Sequence, residues 1–314
     1  MSGEEASVRR EGEIAIMVES SSDDECPACG AAGMRVVSPP RPQFVKQCSG
    51  CGSAFFYFGA AQPVSHNDQY NVDSNYQRYL ESANEPSLTV RHHQTLARLR
   101  TLLPEVQQPR LFDVGAGGGD FLATARDCGF SVGGNEVSQP AINECKNRHG
   151  IDLVLSDDLR VLAESTGKYD AVTMWCVLAH VDEPQELLRG ARALLRPGGI
   201  LFFSTPRYCS IDRGAHLLRK LTNDRHRRVF DRRINHFHRR QYTRNGIEAL
   251  LTREGFIPLA AEPTIGYGLR MSEYLTSIGL PSRAARPAGQ LLEASAKAGM
   301  LPRNILSVYA RAPE

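Results

Sequence analysis

The twelve residues Leu111-Phe-Asp-Val-Gly-Ala-Gly-Gly-Gly-Asp-Phe-Leu122 constrain the fold of this chain more than any others. An apolar run ends beside an acid, Asp113. A glycine-rich turn follows, with Gly115, Gly117, Gly118 and Gly119, and a helical pattern starts at Phe121 and Leu122. This order predicts a strand, a tight turn and a helix start, which aims backbone N–H groups at a nucleotide-like ligand. Glycine supplies positive φ there and lets a ligand approach with no Cβ in the way. The acid precedes the glycines, so the spacing differs from the dinucleotide-binding fingerprint.

The residues that follow alternate short apolar runs with helical patterns. Strands are expected at Leu111–Val114, at Phe130–Gly133 running on to Asn135-Glu136, at Ile151–Leu155, Tyr169–Trp175 and Ile200–Ser204. Helical segments are expected at Phe121–Cys128, at Pro140–Arg148 and around Leu187–Leu195. Two more strands, Phe256–Ala260 and Asn304–Arg311, bring the total to seven and flank an insertion, Ile265–Leu301, with helices near Met271–Ile278 and Ala288–Ala298. The prediction is an α/β fold with a doubly wound, mainly parallel seven-stranded sheet. Ligands in such sheets bind outside the carboxyl ends of the strands. Acids stand at those ends. Glu136, 17 residues beyond Gly119, can accept both hydroxyls of a ribose, and Asp157 or Asp158 can accept from an adenine amino group.

On these motifs the chain resembles the class I S-adenosylmethionine (SAM) methyltransferases. Asp113-Val-Gly-Ala-Gly-Gly-Gly looks like their first motif, Tyr169-Asp-Ala-Val-Thr-Met-Trp-Cys-Val-Leu-Ala-His180-Val-Asp-Glu-Pro their fourth, and Leu194-Leu-Arg-Pro-Gly-Gly-Ile-Leu-Phe-Phe-Ser-Thr-Pro206 their fifth-strand motif. The likeness covers residues 107–260 and implies a Rossmann-like methyltransferase fold, SAM as donor and SN2 methyl transfer. It points to Asp113, Gly115, Ala116, Gly117, Gly119, Glu136, Asp157, Asp158 and Trp175 as cofactor-binding, with Asp113 ordering the loop or meeting the methionine ammonium. The subgroup it resembles methylates small molecules such as quinones, deoxysugars and polyketides. That subgroup often has Leu-Glu-His where this chain has Leu178-Ala179-His180. Asn235-His-Phe-His238-Arg-Arg-Gln-Tyr242-Thr243 resembles a family segment whose second histidine faces the substrate. His238, then His180, are therefore the candidates for general base or substrate contact, since a hydroxyl acceptor gains from a base. Thr243 is expected to cap a helix that buries Ile247, Leu250 and Leu251 and ends at Gly255.

Ahead of this region stand Cys26-Pro-Ala-Cys29-Gly and Cys48-Ser-Gly-Cys51-Gly, two knuckles separated by 18 residues. That spacing predicts a structural Zn2+ ribbon over residues 26–60, with two disulfides as the alternative. Phe55-Phe-Tyr-Phe58 should be a strand packing the ribbon onto its neighbour. The other cysteines, Cys128, Cys145, Cys176 and Cys209, read as small core residues or inert thiols. Residues 61–106 read as a helical linker, with Leu96, Leu99 and Leu103 on one face and Tyr70, Tyr76 and Tyr79 as a candidate lid.

A net charge of +2 in 314 residues argues against a general polyanion binder, and no apolar run reaches 18 residues. The first 25 residues lack the features of a signal peptide and read as a disordered tail, so a cytoplasmic protein is expected. Charge is nonetheless uneven. Residues 207–244 hold twelve Lys/Arg, three Asp and four His, which suggests an anionic, phosphate-bearing or carrier-bound acceptor, with Arg232 and Arg233 as its contacts. A homodimer contact through the insertion is an open alternative. Two other functions compete: a tRNA or rRNA methyltransferase, suggested by ribbon plus basic segment, and a non-catalytic SAM- or zinc-binding interaction module.

Overall fold

The computed structural model describes residues 25–37, 43–58, 86–223, 225–231, 233–234, 238–266 and 271–314. Its main element is a seven-stranded sheet: β4 (Arg110–Val114), β5 (Ser131–Glu136), β6 (Val154–Leu155), β7 (Tyr169–Trp175), β8 (Leu195–Pro206), β10 (Ile257–Thr264) and β11 (Ile305–Arg311), in the order β10-β11-β8-β7-β4-β5-β6. Strands β4 to β8 run parallel, whereas β11 is antiparallel to β8 and β10 to β11. The chain winds outward from β4 to β5 and β6, then returns to place β7 on the other side of β4. The crevice at the carboxyl ends of β4 and β7 is thus the topological switch point, where open α/β sheets hold ligands.

Helices cover both faces, as parallel strands buried on two sides require. They are α1 (Pro86–Leu102), α2 (Asp120–Asp127), α3 (Gln139–His149), α4 (Leu159–Thr166) and α5 (Pro184–Leu194), then α6 (Ser210–Leu221), α7 (Arg227–Asp231) and α8 (Arg244–Arg253). The insertion carries α9 (Met271–Ser277) and α10 (Ser282–Lys297). Leu96, Leu99 and Leu103 pack with Phe121, Leu122, Phe130 and Phe202, as their helical spacing predicts. Thr243 caps α8 by accepting from the Gly246 N–H at 3.1 Å, and Ile247, Leu250 and Leu251 are fully buried.

Some boundaries move. The third main-sheet strand contracts to Val154–Leu155, which pair with Asn135 and Glu136 at the end of β5. The fifth lengthens to Leu195–Pro206, since Leu195 pairs with Tyr169 of β7 at its start and β11 pairs with it as far as Pro206 at its end. Helix α10 begins at Ser282, before the expected Ala288, with Pro287 inside it. The expected tail and the candidate lid tyrosines Tyr70, Tyr76 and Tyr79 lie outside the described residues.

A second sheet, β1 (Met34–Val36), β2 (Gln43–Cys48) and β3 (Ala54–Phe58), carries the cysteine knuckles, and its fourth strand comes from far along the chain: β9 (Arg240–Gln241) pairs with β3. Phe55 meets Tyr242 edge-on with ring centroids 6.0 Å apart, and both are wholly buried. Cys26, Ala28, Cys48 and Phe55 share one apolar core with Tyr242, Ile247 and the main sheet. The expected packing strand is therefore present, and burial of a phenyl ring such as Phe55 contributes about 2–3 kcal/mol. No helix among the described residues is long and apolar enough to cross a membrane.

Candidate functional site

The turn after β4 owes its shape to glycine. Gly115, Gly117 and Gly119 all have positive φ, at 66°, 55° and 80°. Two of these places are also crowded: a Cβ on Gly115 would come within 2.8 Å of Val177, and one on Gly119 within 2.3 Å of the Cys145 sulfur. The Ala116 N–H donates to the Asn135 carbonyl at 3.0 Å, which ties the turn to the end of β5.

Glu136, buried at that end, is the anchor of the turn. One carboxylate oxygen accepts from the Gly117 N–H at 2.8 Å, and the other from Val137 and Ser138 at 2.7 and 3.1 Å. Asp113 sits deeper. It is fully enclosed in the sheet and accepts from the Thr173 hydroxyl at 2.6 Å. Burial, resisted by that hydrogen bond and reinforced by the charge of Glu136, raises its carboxyl to about 8. This placement fits loop ordering; the carboxylate–ammonium contact has no support from it.

Asp158 is spent on structure. It is the N-cap of α4, accepting from the Arg160 and Val161 N–H groups at 2.9 and 3.2 Å, which leaves Asp157, exposed beside it, as the adenine candidate. Trp175 ends β7 inside an aromatic group with His92, Phe121 and Phe202, at centroid separations of 4.8, 5.1 and 5.0 Å. Its buried indole N–H meets no acceptor among the described residues. Positive-φ glycines, a carboxylate at the end of β5 and a buried unmatched donor at the end of β7 together fit a nucleoside-bearing cofactor.

His180 and His238 come together across the crevice, with ring centroids 5.0 Å apart. Burial, helped by the Arg233 charge, lowers the His238 imidazole to about 4, so it is neutral at physiological pH. Cys176 reads from the sequence as a small core residue or an inert thiol. It is only half-buried and its sulfur stands 3.8 Å from His238 Nε2. The signal was available in its place at a strand end, four residues before His180.

The basic segment 207–244 departs from expectation in another way. Arg233 binds both oxygens of Asp212, at 2.7 and 3.1 Å. Arg239 is buried against Asp182, and Arg240 donates to the Val181 and Asp182 carbonyls while its guanidinium lies over Phe55. These three arginines fasten the segment to the fold, and Arg232 lies outside the described residues. Among the described residues, Cys26, Cys29, Cys48 and Cys51 form a compact cluster. The Cys26–Cys51 and Cys29–Cys48 sulfurs are 3.7 and 3.6 Å apart, close to the edge of about 3.8 Å in a tetrahedral Zn–thiolate shell. The same separations are far beyond a disulfide bond. The contact between the Cys26 and Cys51 sulfurs pushes the two thiols apart in acidity, Cys51 down and Cys26 up.

One consequence concerns pH. The raised Asp113 carboxyl means that the folded chain holds a proton the unfolded chain has lost, so this residue's contribution is complete below about pH 4 and is lost as pH rises toward 8. Asp113→Asn should therefore gain stability relative to wild type between pH 4 and 8, by up to about 1.4 kcal/mol per pH unit. Parallel urea-unfolding profiles of the two proteins over that range would contradict this.

The pattern of a methyltransferase domain matches residues 65–256. Ubiquinone biosynthesis O-methyltransferase from Bordetella avium is 31% identical over 113 residues, covering 34% of this chain and 46% of that protein. The protein of the same name from Xanthomonas oryzae pv. oryzae is 36% identical over 102 residues, covering 31% and 42%. This chain thus spans about half the length of the curated relatives it matches. Among solved structures, magnesium protoporphyrin IX methyltransferase from Synechocystis PCC 6803 superposes with a TM-score of 0.50 at 15% identity, over 78% of this chain and 97% of that one, which is a likeness of fold.

Proposed function

Because this chain belongs to the methyltransferase domain family, we propose that it transfers a methyl group from SAM to a small-molecule acceptor, with a hydroxyl oxygen as the methylated atom. The observation that carries this reading is Glu136, whose carboxylate orders the glycine turn through Gly117 from the carboxyl end of β5, next to β4. Oxygen as acceptor atom draws support from the O-methyltransferases the chain is similar to.

SAM supplies an electrophilic methyl on a sulfonium, a leaving group that needs no protonation. The chain's own task is then to hold donor and acceptor in line. Gly115, Ala116, Gly117 and Gly119 admit the donor, Glu136 takes the ribose, Asp157 the adenine amino group, and Trp175 borders the site. Asp113 keeps the turn in shape from within the sheet. His238, beside His180, borders the acceptor and positions its hydroxyl. The four-cysteine module holds Zn2+ in a closed, structural site, with no open coordination position for chemistry.

Calorimetric titration with SAM tests the reading. Wild type should bind in the micromolar range, and Glu136→Ala should weaken binding about 100-fold or more, since charge-assisted hydrogen bonds contribute about 1.5–3 kcal/mol each. No binding by wild type, or equal binding by the variant, would remove it. A panel of hydroxylated aromatic and quinol acceptors, assayed for S-adenosylhomocysteine release, then addresses the acceptor.

A further inference from the structure

Cys176, His180 and His238 form a second ligand cluster separate from the four cysteines: one sulfur and two imidazoles offer atoms that all lie within 4.8 Å of one another. We infer that these three residues bind a divalent transition cation of the zinc type, with the fourth position of its shell open to an oxygen ligand.

The geometry is built by the backbone rather than by chance approach of long side chains. Cys176 holds φ at 66°, one of only two non-glycine residues with positive φ among those described. That conformation costs an L-residue about 1–2 kcal/mol, and such strain concentrates where a side chain must be aimed. Its N–H is fixed to the Ser204 carbonyl at 3.0 Å. The 3₁₀ turn Val177–Ala179 then brings His180 round, and the His180 N–H closes on the Val177 carbonyl at 2.9 Å. His238 arrives from the opposite side on a segment fastened at its next residue, where the Arg239 N–H donates to the Ala179 carbonyl at 2.9 Å. The sulfur-to-Nε2 distance of 3.8 Å is near the edge of about 3.6 Å expected for tetrahedral Zn–S and Zn–N bonds of 2.3 and 2.0–2.1 Å.

A thiolate with two imidazoles is a borderline-soft donor set, suited to Zn2+ and Co2+ and poorly suited to Mg2+ or Ca2+. Three protein ligands and one open position are the pattern of catalytic rather than structural zinc. On binding, the Cys176 thiol releases its proton to solvent as the sulfur–metal bond forms. An acceptor hydroxyl at the open position would lose its proton to solvent more readily. Its oxygen would then bond the methyl carbon as the carbon–sulfur bond of the sulfonium breaks, the electron pair staying on sulfur. This last role rests on the proposed methyl transfer; the cation site does not.

The test uses the full chain, stripped of metal, refilled with Zn2+ and counted by elemental mass spectrometry. Wild type should hold one Zn2+ more than either Cys176→Ser or His238→Ala, and in Co2+-loaded wild type that extra equivalent should show a charge-transfer band of a single thiolate. Equal zinc in wild type and both variants would overturn the site, as would the absence of a single-thiolate cobalt spectrum. The cobalt measurement needs no variant, so a substitution that prevents folding leaves the question decidable. SAM titration is a separate readout: a protein that binds the extra cation but no SAM would refute the methyl-transfer reading and leave the cation site standing.

Discussion

Replacing Cys29 and Cys51 together by serine should free the segment that carries His238 while leaving the cofactor crevice closed. Zinc contributes about 10–16 kcal/mol to the folding of small thiolate modules, and a module of this size has no core that would survive its loss. The module is also a structural wall of the site. Strand β3 pairs with β9 at Phe55↔Arg240, and the Phe56 N–H donates to the Arg239 carbonyl at 2.7 Å. The Thr243 hydroxyl donates to the Cys51 carbonyl at 2.5 Å. Arg253 and Gln185 reach the Ala28 and Pro27 carbonyls at 3.2 and 2.7 Å from the main domain. Unfolding the module removes all of these. Amide exchange at Arg239, Tyr242 and Ile247 should then accelerate at least about 100-fold, as local opening replaces packed structure. Methyl transfer should fall by a similar factor, because a displacement of about 1 Å at a reacting group can cost that much. SAM affinity should stay within about 3-fold, since Glu136 and the glycine turn are held by β4 and β5. Substitution is preferable to a chelator, which would also strip a cation from Cys176, His180 and His238. Unchanged exchange, or SAM affinity lost in step with turnover, would refute the division of labour between the two sheets.

What was legible in the sequence was mostly local. The run Leu111–Leu122 specifies strand, turn and helix through neighbouring residues, and β4 and α2 form where expected. Thr243 and the apolar spacing of α8 likewise carry their own instructions. The convergence of the two Cys-x-x-Cys knuckles was legible in their spacing, and the four cysteines do form one cluster. Errors arose where a distant partner decides. The stretch from Ile151 to Leu155 has the composition of a full strand, but at this sheet edge only Val154 and Leu155 pair, with Asn135 and Glu136 of β5. Arg233 reads as a free cation until Asp212 is brought to it by the packing of α6, a contact between residues 21 apart. The pairing of β3 with β9 joins residues nearly 190 positions apart and leaves no local trace. Asp158 is a different case. Its position just before Leu159 is an ordinary capping signal, which competes with the role of adenine partner.

The steric demand at Gly119 yields a prediction that separates two costs. Its φ of 80° disfavours any Cβ, and an alanine Cβ would stand 2.3 Å from the Cys145 sulfur and 3.2 Å from the Cys145 Cβ. Neither neighbour has room to yield: Cys145 is fully buried on α3, and its backbone is fixed by that helix. Gly119→Ala should therefore lose about 1–2 kcal/mol to the left-handed backbone and about 1–3 kcal/mol to overpacking. The turn can escape the clash only by shifting, and it carries the Gly117 N–H that Glu136 holds. SAM binding should drop at least about 100-fold, a larger loss than the stability change alone would cause. Adding Cys145→Ala removes the sulfur and relieves the worst contact but not the backbone strain. The double variant should then recover stability and affinity relative to Gly119→Ala, while remaining below Cys145→Ala alone. Simple additivity of the two substitutions, in urea unfolding and in SAM titration, would mean that the sulfur does not set the limit here. The close packing of α3 behind the turn would then have no part in shaping the donor crevice.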